Sequence, residues 1–208
     1  MTQYAVPNAD TYTGGWTKVP SHLLYLYTKI DETPVASADD TDYIEVVEGE
    51  VSEEDYVDGT ATFTLSAITD PENSVNHFVR YRAEDNSGAY AATPSFDVKL
   101  YQSSTLIASK RHTGGTVITS NDPPFANYSI ELSSSEANSI TDYSALKLTI
   151  IMDNDGDENS AIRVSQLFFE TDDVGGGGGG GGPLATTGGA PDSFSIGVNG
   201  FGSNFSLE

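Results

Sequence analysis

Phe96-Asp97-Val98-Lys99-Leu100-Tyr101 alternates strictly between apolar and polar side chains, and this stretch decides the fold class. Successive side chains of a β-strand point to opposite faces, so the three apolar residues would line one buried face of a sheet. A second run of β-forming residues, 105–110, follows after Ser103-Ser104. That spacing predicts a hairpin, and therefore an antiparallel sheet.

The same period of two recurs along the body of the chain, separated by clusters of Gly, Pro, Asn and Asp. It is found in residues 61–67, 75–83, 128–132, 146–152 and 162–169. Short strands at this spacing predict an all-β fold, an antiparallel jelly-roll-like β-sandwich. One short helix is expected as well, because Ser133 to Glu136 matches a capping box.

We predict two parts, a β-sandwich domain over residues 1–173 and a Gly-rich linker with a C-terminal docking tail over residues 174–208. Gly175 to Gly182 is an unbroken glycine run, the most flexible composition available. The apolar residues beyond it are interpreted as partner-binding anchors on a tether, although a disordered tail with incidental apolar residues is the alternative. The anchors are Phe194, Ile196, Val198, Phe201 and Phe205.

The charge of the chain excludes several classes of partner. Thirty-one acidic residues face nine basic ones, for a formal net charge of −22. Such a chain is unsuited to neutralising the phosphates of a nucleic acid or to docking on an anionic membrane, so neither is a predicted partner. With no cysteine there is no disulfide framework and no thiolate metal site, and no cofactor is expected.

Two acidic regions are candidate cation sites. Asp153, Asp155 and Asp157 alternate as calcium ligands do, but Glu158 stands where an EF-hand loop needs glycine. A hairpin turn between two strands is the favoured interpretation, so these residues are a weak candidate and no metal is predicted. Residues 31–58 hold twelve acidic and no basic residues, which favours solvated loops over a cation site or a docking surface for a basic partner.

Arg80 and Arg82 fall on one face of a predicted strand in a chain with few cations. We predict a structural role, in which each guanidinium pairs with carboxylates of adjacent loops, among them residues 39–42.

No motif of the chain indicates catalysis. The three histidines are isolated, and His77 is expected to pack within a strand. There is no nucleophile elbow or phosphate loop, so the chain is predicted not to be an enzyme. Trp16 follows two glycines and is open to two interpretations, an exposed ring that binds sugars or a ring packed over the edge of the core.

Several stretches together suggest a family. They are Gly14-Gly15-Trp16-Thr17, Leu26-Tyr27, 30–32, 39–44, 79–83, 140–148, 162–165, Phe168 and Glu170. In their order and spacing, residues 10–170 resemble a β-sandwich module of tailed-phage virion structural proteins. The resemblance implies a structural protein of a bacteriophage virion, assembled in the host cytoplasm and released by lysis. Consistent with that route, residues 1–7 lack the basic and apolar regions of a signal peptide.

Two functions follow from the resemblance. The first is a capsid decoration or cement protein, an acidic homo-oligomer that binds the major capsid protein or other virion proteins. The second is a glycan-binding adhesin module of a phage tail or fibre, which would use Trp16 and exposed tyrosines.

The tail prediction can be tested by deleting residues 183–208. Each aromatic anchor contributes roughly 1.5–3 kcal/mol if buried in a partner, so the truncated protein should join particles at reduced occupancy while its β-sandwich stays folded. Occupancy is measured by quantitative gel analysis of purified virions, with folding followed by circular dichroism. Wild-type occupancy of the truncated protein would make the tail a passive appendage.

Overall fold

The chain folds as an antiparallel β-sandwich of two sheets with one short α-helix, which confirms the predicted fold class. The computed structural model describes residues 1–21, 25–47, 59–86, 95–112, 125–153 and 161–173. The α-helix, α1, spans Ser134–Ser139. Eleven strands, β1 to β11, are described. In chain order they are Thr2–Ala5, Pro7–Tyr12, Thr17–Val19, Tyr43–Val47, Thr60–Leu65, Phe78–Asn86, Ser95–Gln102, Thr105–His112, Ala126–Glu131, Leu146–Asp153 and Ala161–Asp172.

The strands divide into two sheets that we call sheet A and sheet B. Sheet A has the order β3-β4-β11-β6-β9, with β1 also paired to β11. Sheet B has the order β2-β5-β10-β7-β8. The chain passes repeatedly from one sheet to the other. Among the described strands, β3–β4 and β7–β8 are the pairs that are adjacent both in sequence and in a sheet, and of these β7–β8 is a tight hairpin. Alternation between two packed sheets is the jelly-roll arrangement.

Strand β11 is the central strand of sheet A. Along one edge it pairs with β6 over nearly its whole length, from Ala161 to Glu170. Along the other edge it pairs first with β4 and then with β1. Between those two partners a loop takes the place of a strand, because the Leu167 N–H donates to the Ile30 carbonyl at 2.9 Å. The Leu167 N–H of this buried strand therefore has a backbone partner within the gap.

The loop beside β11 is fixed by a second set of bonds. The amide nitrogen of Gln166 donates to the carbonyls of Glu32 at 2.8 Å and Pro34 at 3.0 Å. Gln166 is fully buried, so its bonds hold residues 30–34 against sheet A. A short 3-10 helix, Tyr27–Lys29, leads into this loop.

The core lies between the two sheets and is built from the inward side chains of alternating positions. Among the fully buried core residues are Phe63, Leu100, Leu148 and Ile150 from sheet B and Ile44, Val79, Ile162, Leu167 and Phe169 from sheet A. An aromatic cluster closes one side, where the rings of Phe96 and His112 stack with centroids 4.7 Å apart. Desolvation by burial, with a smaller effect of Lys110, lowers the pKa of His112 to about 4.

Three local predictions can be compared with the structure. The hairpin around Ser103 is confirmed, since β7 and β8 pair across it and Ser103 takes a left-handed φ of 54°. The capping box is confirmed, because the Ser133 hydroxyl accepts from the Glu136 N–H while the Glu136 carboxylate accepts from the Ser133 N–H. The strand predicted from residue 75 begins only at Phe78, since Asn76 is left-handed at φ 58°.

The predicted boundary after residue 173 and the whole predicted tail lie outside the described residues. They stay predictions. Within the described ranges, no helix has the length and hydrophobicity needed to span a membrane.

Candidate functional site

Arg80 and Arg82 extend from the outer face of sheet A and each meets a carboxylate. Arg82 forms a two-pronged ion pair with Asp40, with Nε–Oδ1 and Nη2–Oδ2 distances both 2.6 Å. Arg80 contacts Glu170 at 3.2 and 3.4 Å. The partner of Arg82 thus comes from residues 31–42, which we call the acidic loop, whereas the partner of Arg80 lies on the neighbouring strand β11.

A third arginine continues this layer. Arg163 of β11 donates to Glu45 at 2.5 Å and to Glu84 at 2.7 Å. Each guanidinium also lies over an aromatic ring: Arg80 over Phe78 at 4.1 Å, Arg82 over Phe125 at 5.9 Å and Arg163 over Tyr43 at 5.2 Å. Ion pairs that are flanked by rings and linked across strands make the outer face of sheet A a rigid surface.

The acidic loop is thus only partly the solvated segment predicted from sequence. Asp40 accepts from Arg82 and from the Ser165 hydroxyl at 3.1 Å. Asp42 pairs with Lys29, whose side chain is only 2% exposed. Several carboxylates of residues 31–47 are therefore internal partners for the few cations of the chain. Residues 48–58 lie outside the described residues.

Glu32 lies in the most unfavourable electrostatic position of this loop. Its Oε2 is buried with no hydrogen-bond partner among the described residues. Desolvation is the main cause that raises the pKa of Glu32 to about 7, and the nearby carboxylates of Asp31, Asp42 and Asp39 add to it. Within the described residues, no group of three His, Cys, Asp or Glu side chains is arranged to hold a metal ion.

Trp16 is not available to a ligand. The ring is 5% exposed within the core cluster, and its Nε1–H donates to the Gly59 carbonyl at 2.8 Å. The proposed use of Trp16 as a sugar-binding ring is therefore wrong, and the alternative of a packed ring is confirmed. Among the described residues, two tyrosines are exposed instead, Tyr12 at 48% and Tyr25 at 51%.

Tyr12 belongs to a row of side chains that crosses the whole outer face of sheet B. Directly paired residues of antiparallel strands share a face, so the register defines the row. One row contains Tyr12, Thr62, Thr149, Lys99 and Ser109. The row on one side of it contains Ala9, Thr64, Lys147, Tyr101 and Leu106, and the row on the other side contains Thr60, Ile151, Asp97 and Arg111.

Exposure on the outer face of sheet B differs between its central and its edge strands. Thr149 is 6% exposed, whereas Tyr12 and Leu106, on the two edge strands, are 48% and 50% exposed. The hydroxyls of Thr62 and Thr149 are 3.0 Å apart and hydrogen-bonded. The face therefore has a hydrogen-bonded threonine pair at its centre and more exposed side chains at its two edges.

The charges of this face form a small cluster at one side. Asp97 Oδ2 lies 3.6 Å from Lys99 Nζ and 3.9 Å from Arg111 Nη1. Arg111 also donates to the Ser95 hydroxyl at 2.8 Å. The face thus offers donors and acceptors beside two tyrosine rings, Tyr12 and Tyr101.

A separate polar cavity of about 540 Å³ lies beside α1. Its walls include Val75 and Asn76 on the loop before β6, and Glu131 and Glu136 near the helix. His77, next to this loop, is fully buried, with Nε2 2.7 Å from the Tyr143 hydroxyl. Both of its ring nitrogens have structural partners, which agrees with the predicted packing role.

Several predicted site residues cannot be placed. The anchors Phe194, Ile196, Val198, Phe201 and Phe205 lie outside the described residues, as do Asp155 and Asp157. Asp153 ends β10, and its side chain is not described.

No local pattern in the sequence points to the outer face of sheet B. The outward residues were present in the period-two pattern, but their meeting depends on the register between strands. Tyr12 and Thr149, for example, are brought to one row only through β5.

Comparison with known proteins yields likeness in fold only. No protein-family model and no curated protein matches the chain. Among solved structures, TmCBM61 in complex with beta-1,4-galactotriose matches with a TM-score of 0.37 and 9% identity, over 81% of this chain and 86% of that one. The K3 adhesin domain of Lys-gingipain from Porphyromonas gingivalis matches with a TM-score of 0.45 and 8% identity, over 83% and 100%.

A third structure is SGBP-B from a xyloglucan utilization locus of Bacteroides uniformis. It matches with a TM-score of 0.41 and 14% identity, over 77% of this chain and 46% of that one. At these values the likeness says nothing about what this chain binds. The function has to be argued from its own residues.

The ion pair of Arg82 with Asp40 should contribute measurably to stability. We expect Arg82→Gln to lower the free energy of unfolding by about 1 kcal/mol, because Asp40 is partly exposed and solvent screens the pair. Lys147→Gln is the matched control, since Lys147 is on the outer face of sheet B and has no ion-pair partner among the described residues. Urea unfolding at pH 7 measures both, and equal effects would contradict a structural role for Arg82.

Glu32 should make the fold less stable as pH rises. Its pKa in the fold, about 7, is above the ordinary value of 4.5, so its contribution is fully present below pH 4.5 and is lost as pH rises through 7. Glu32→Gln should therefore match the wild type at pH 4.5 and exceed its unfolding free energy at pH 8 by about 1 kcal/mol, a figure reduced for partial exposure. Urea unfolding across this range measures the difference. A difference between Glu32→Gln and the wild type that is the same at pH 4.5 and at pH 8 would contradict this assignment.

Proposed function

We propose that this β-sandwich is a non-catalytic glycan-binding module whose ligand lies on the outer face of sheet B. The observation that carries the proposal is the cross-strand row of Tyr12, Thr62, Thr149, Lys99 and Ser109. It combines an exposed ring with hydroxyls and an ammonium group on adjacent strands.

The chemistry of this row suits a saccharide. A pyranose presents apolar C–H groups on its faces and hydroxyls around its rim. A tyrosine ring offers apolar area with little loss of side-chain entropy, and nearby polar groups fix the orientation of the ligand. Tyr12 can supply the stacking surface, while Thr62 and Lys99 lie along the same row to meet hydroxyls.

The position of these groups on strands favours binding without rearrangement. Thr62 and Thr149 are already hydrogen-bonded to each other, and Lys99 lies beside Asp97. Side chains held by a regular sheet lose little further freedom when a ligand binds.

The rows around Tyr12 offer little for hydrolysis of a glycosidic bond. That reaction generally uses two carboxyl groups that flank the bond. The three rows defined above contain one acidic residue, Asp97, and the next acidic residue of this face, Asp153, is in a row beyond them. The lack of a second carboxyl group within these three rows supports binding rather than cleavage.

Placement in a virion is a further proposal, and it rests on the family resemblance alone. A glycan-binding module fits a tail or fibre component, present in few copies. A capsid decoration protein would be present in hundreds of copies, so the copy number in purified virions separates the two placements.

The glycan-binding proposal is tested at Tyr12. We expect the wild-type protein to bind members of a glycan array and Tyr12→Ala to lose at least ten-fold in affinity, because the exposed ring is removed with little effect on the core. Isothermal titration calorimetry with the best array ligand gives the affinity, and thermal unfolding confirms that the variant is folded.

Tyr25→Ala is the matched control, since Tyr25 is equally exposed but lies outside the strands of sheet B. It should bind as the wild type does. Loss of binding in Tyr25→Ala with full binding in Tyr12→Ala would move the site away from this face. A wild-type protein that binds no glycan of the array would rule out the proposed function.

A further inference from the structure

We infer that the outer face of sheet B selects an extended oligosaccharide of at least four units, with Tyr12 and Tyr101 as the two end contacts. The inference rests on the proposed function and specifies the size and shape of the ligand.

The distance between the backbone positions of the two tyrosines follows from the geometry of the sheet. Tyr12 is on the edge strand β2 and Tyr101 is on β7, three strands away in the order β2-β5-β10-β7. Neighbouring strands are about 4.8 Å apart, so the strands alone separate the two residues by about 14 Å. Tyr101 pairs with Lys147, two residues along β10 from Thr149, which adds an offset of about 7 Å. The two backbone positions are thus about 16 Å apart.

This separation corresponds to three steps of an extended saccharide. A pyranose ring with its glycosidic oxygen is similar in length to the spacing between neighbouring strands, so each unit of an extended chain advances by roughly one strand. A unit stacked on Tyr12 would therefore place the third unit beyond it near Tyr101. A monosaccharide or disaccharide reaches one ring only, and a chain of four units is the shortest that reaches both.

The residues between the rings suit inner units that hydrogen-bond rather than stack. Thr62 and Thr149 form the threonine pair at the centre of the face, and Lys99 completes the row toward β7. Thr149 itself is only 6% exposed, so the polar contacts for inner units come from the partly exposed Thr62 and Lys99. A compact or strongly helical glycan would contact one margin and lose the other.

The experiment uses the full chain and three ladders of defined length, namely cello-, xylo- and galacto-oligosaccharides of two to six units. For at least one ladder, calorimetry should show a rise of ten-fold or more in affinity between three and four units, followed by a plateau. Tyr101→Ala should remove this step by weakening the tetrasaccharide to the level of the trisaccharide. Tyr101→Phe, which keeps the ring, should keep the step.

Two results would overturn the inference while leaving glycan binding intact. One is an affinity that is already maximal for the disaccharide or rises evenly without a step at four units. The other is a folded Tyr101→Ala variant that weakens short and long ligands equally. Absence of binding to all three ladders and to the glycan array would instead contradict the proposed function itself.

Discussion

The two edges of β11 are the constraint on which the rest of the fold depends. This strand is buried for most of its length, so each of its backbone groups needs a partner within the protein. One edge is satisfied by β6, and the other by β4, by a loop and by β1 in succession. The bond from Leu167 to Ile30 joins the two strand partners into a continuous edge. The same loop connects the 3-10 helix Tyr27–Lys29 to the acidic loop, so the contacts of Leu167 and Gln166 with it hold this part of the chain against β11.

The distribution of charge follows from the same arrangement. The acidic segment that lies along β11 supplies carboxylates to Arg82 and Lys29, and strand neighbours supply them to Arg80 and Arg163. These cations are thus used to hold the outer face of sheet A together in a strongly acidic chain. The outer face of sheet B differs in character, with hydroxyls and tyrosines over most of its width and a small charged cluster of Asp97, Lys99 and Arg111 at one side.

The sequence predicted the parts of the fold that depend on local pattern. Alternation around Val98 located a strand and its inward face, and the spacing of Ser133 and Glu136 located the helix. The order of strands could not be predicted, because it depends on contacts between residues far apart in the chain.

The candidate site was unpredictable for the same reason. Tyr12 and Tyr101 are 89 positions apart in sequence, and neither lies in a recognisable motif. Trp16 attracted attention as the chain's single tryptophan, yet its ring is covered because the Gly59 carbonyl offers its N–H a buried partner. The contact of the loop at Ile30 with β11 could not be predicted either, since it is made by the backbone carbonyl and leaves no pattern in the side chains.

The burial of that one tryptophan has a practical consequence for spectroscopy. Fluorescence excited at the red edge of the protein band comes from Trp16 alone, because no second indole contributes. The ring is in the core and hydrogen-bonded to the backbone, so its emission maximum should lie to the blue and shift to the red when the sandwich opens. Trp16 emission therefore reports on folding. A saccharide bound to the outer face of sheet B would not contact this ring and would leave its emission maximum unchanged.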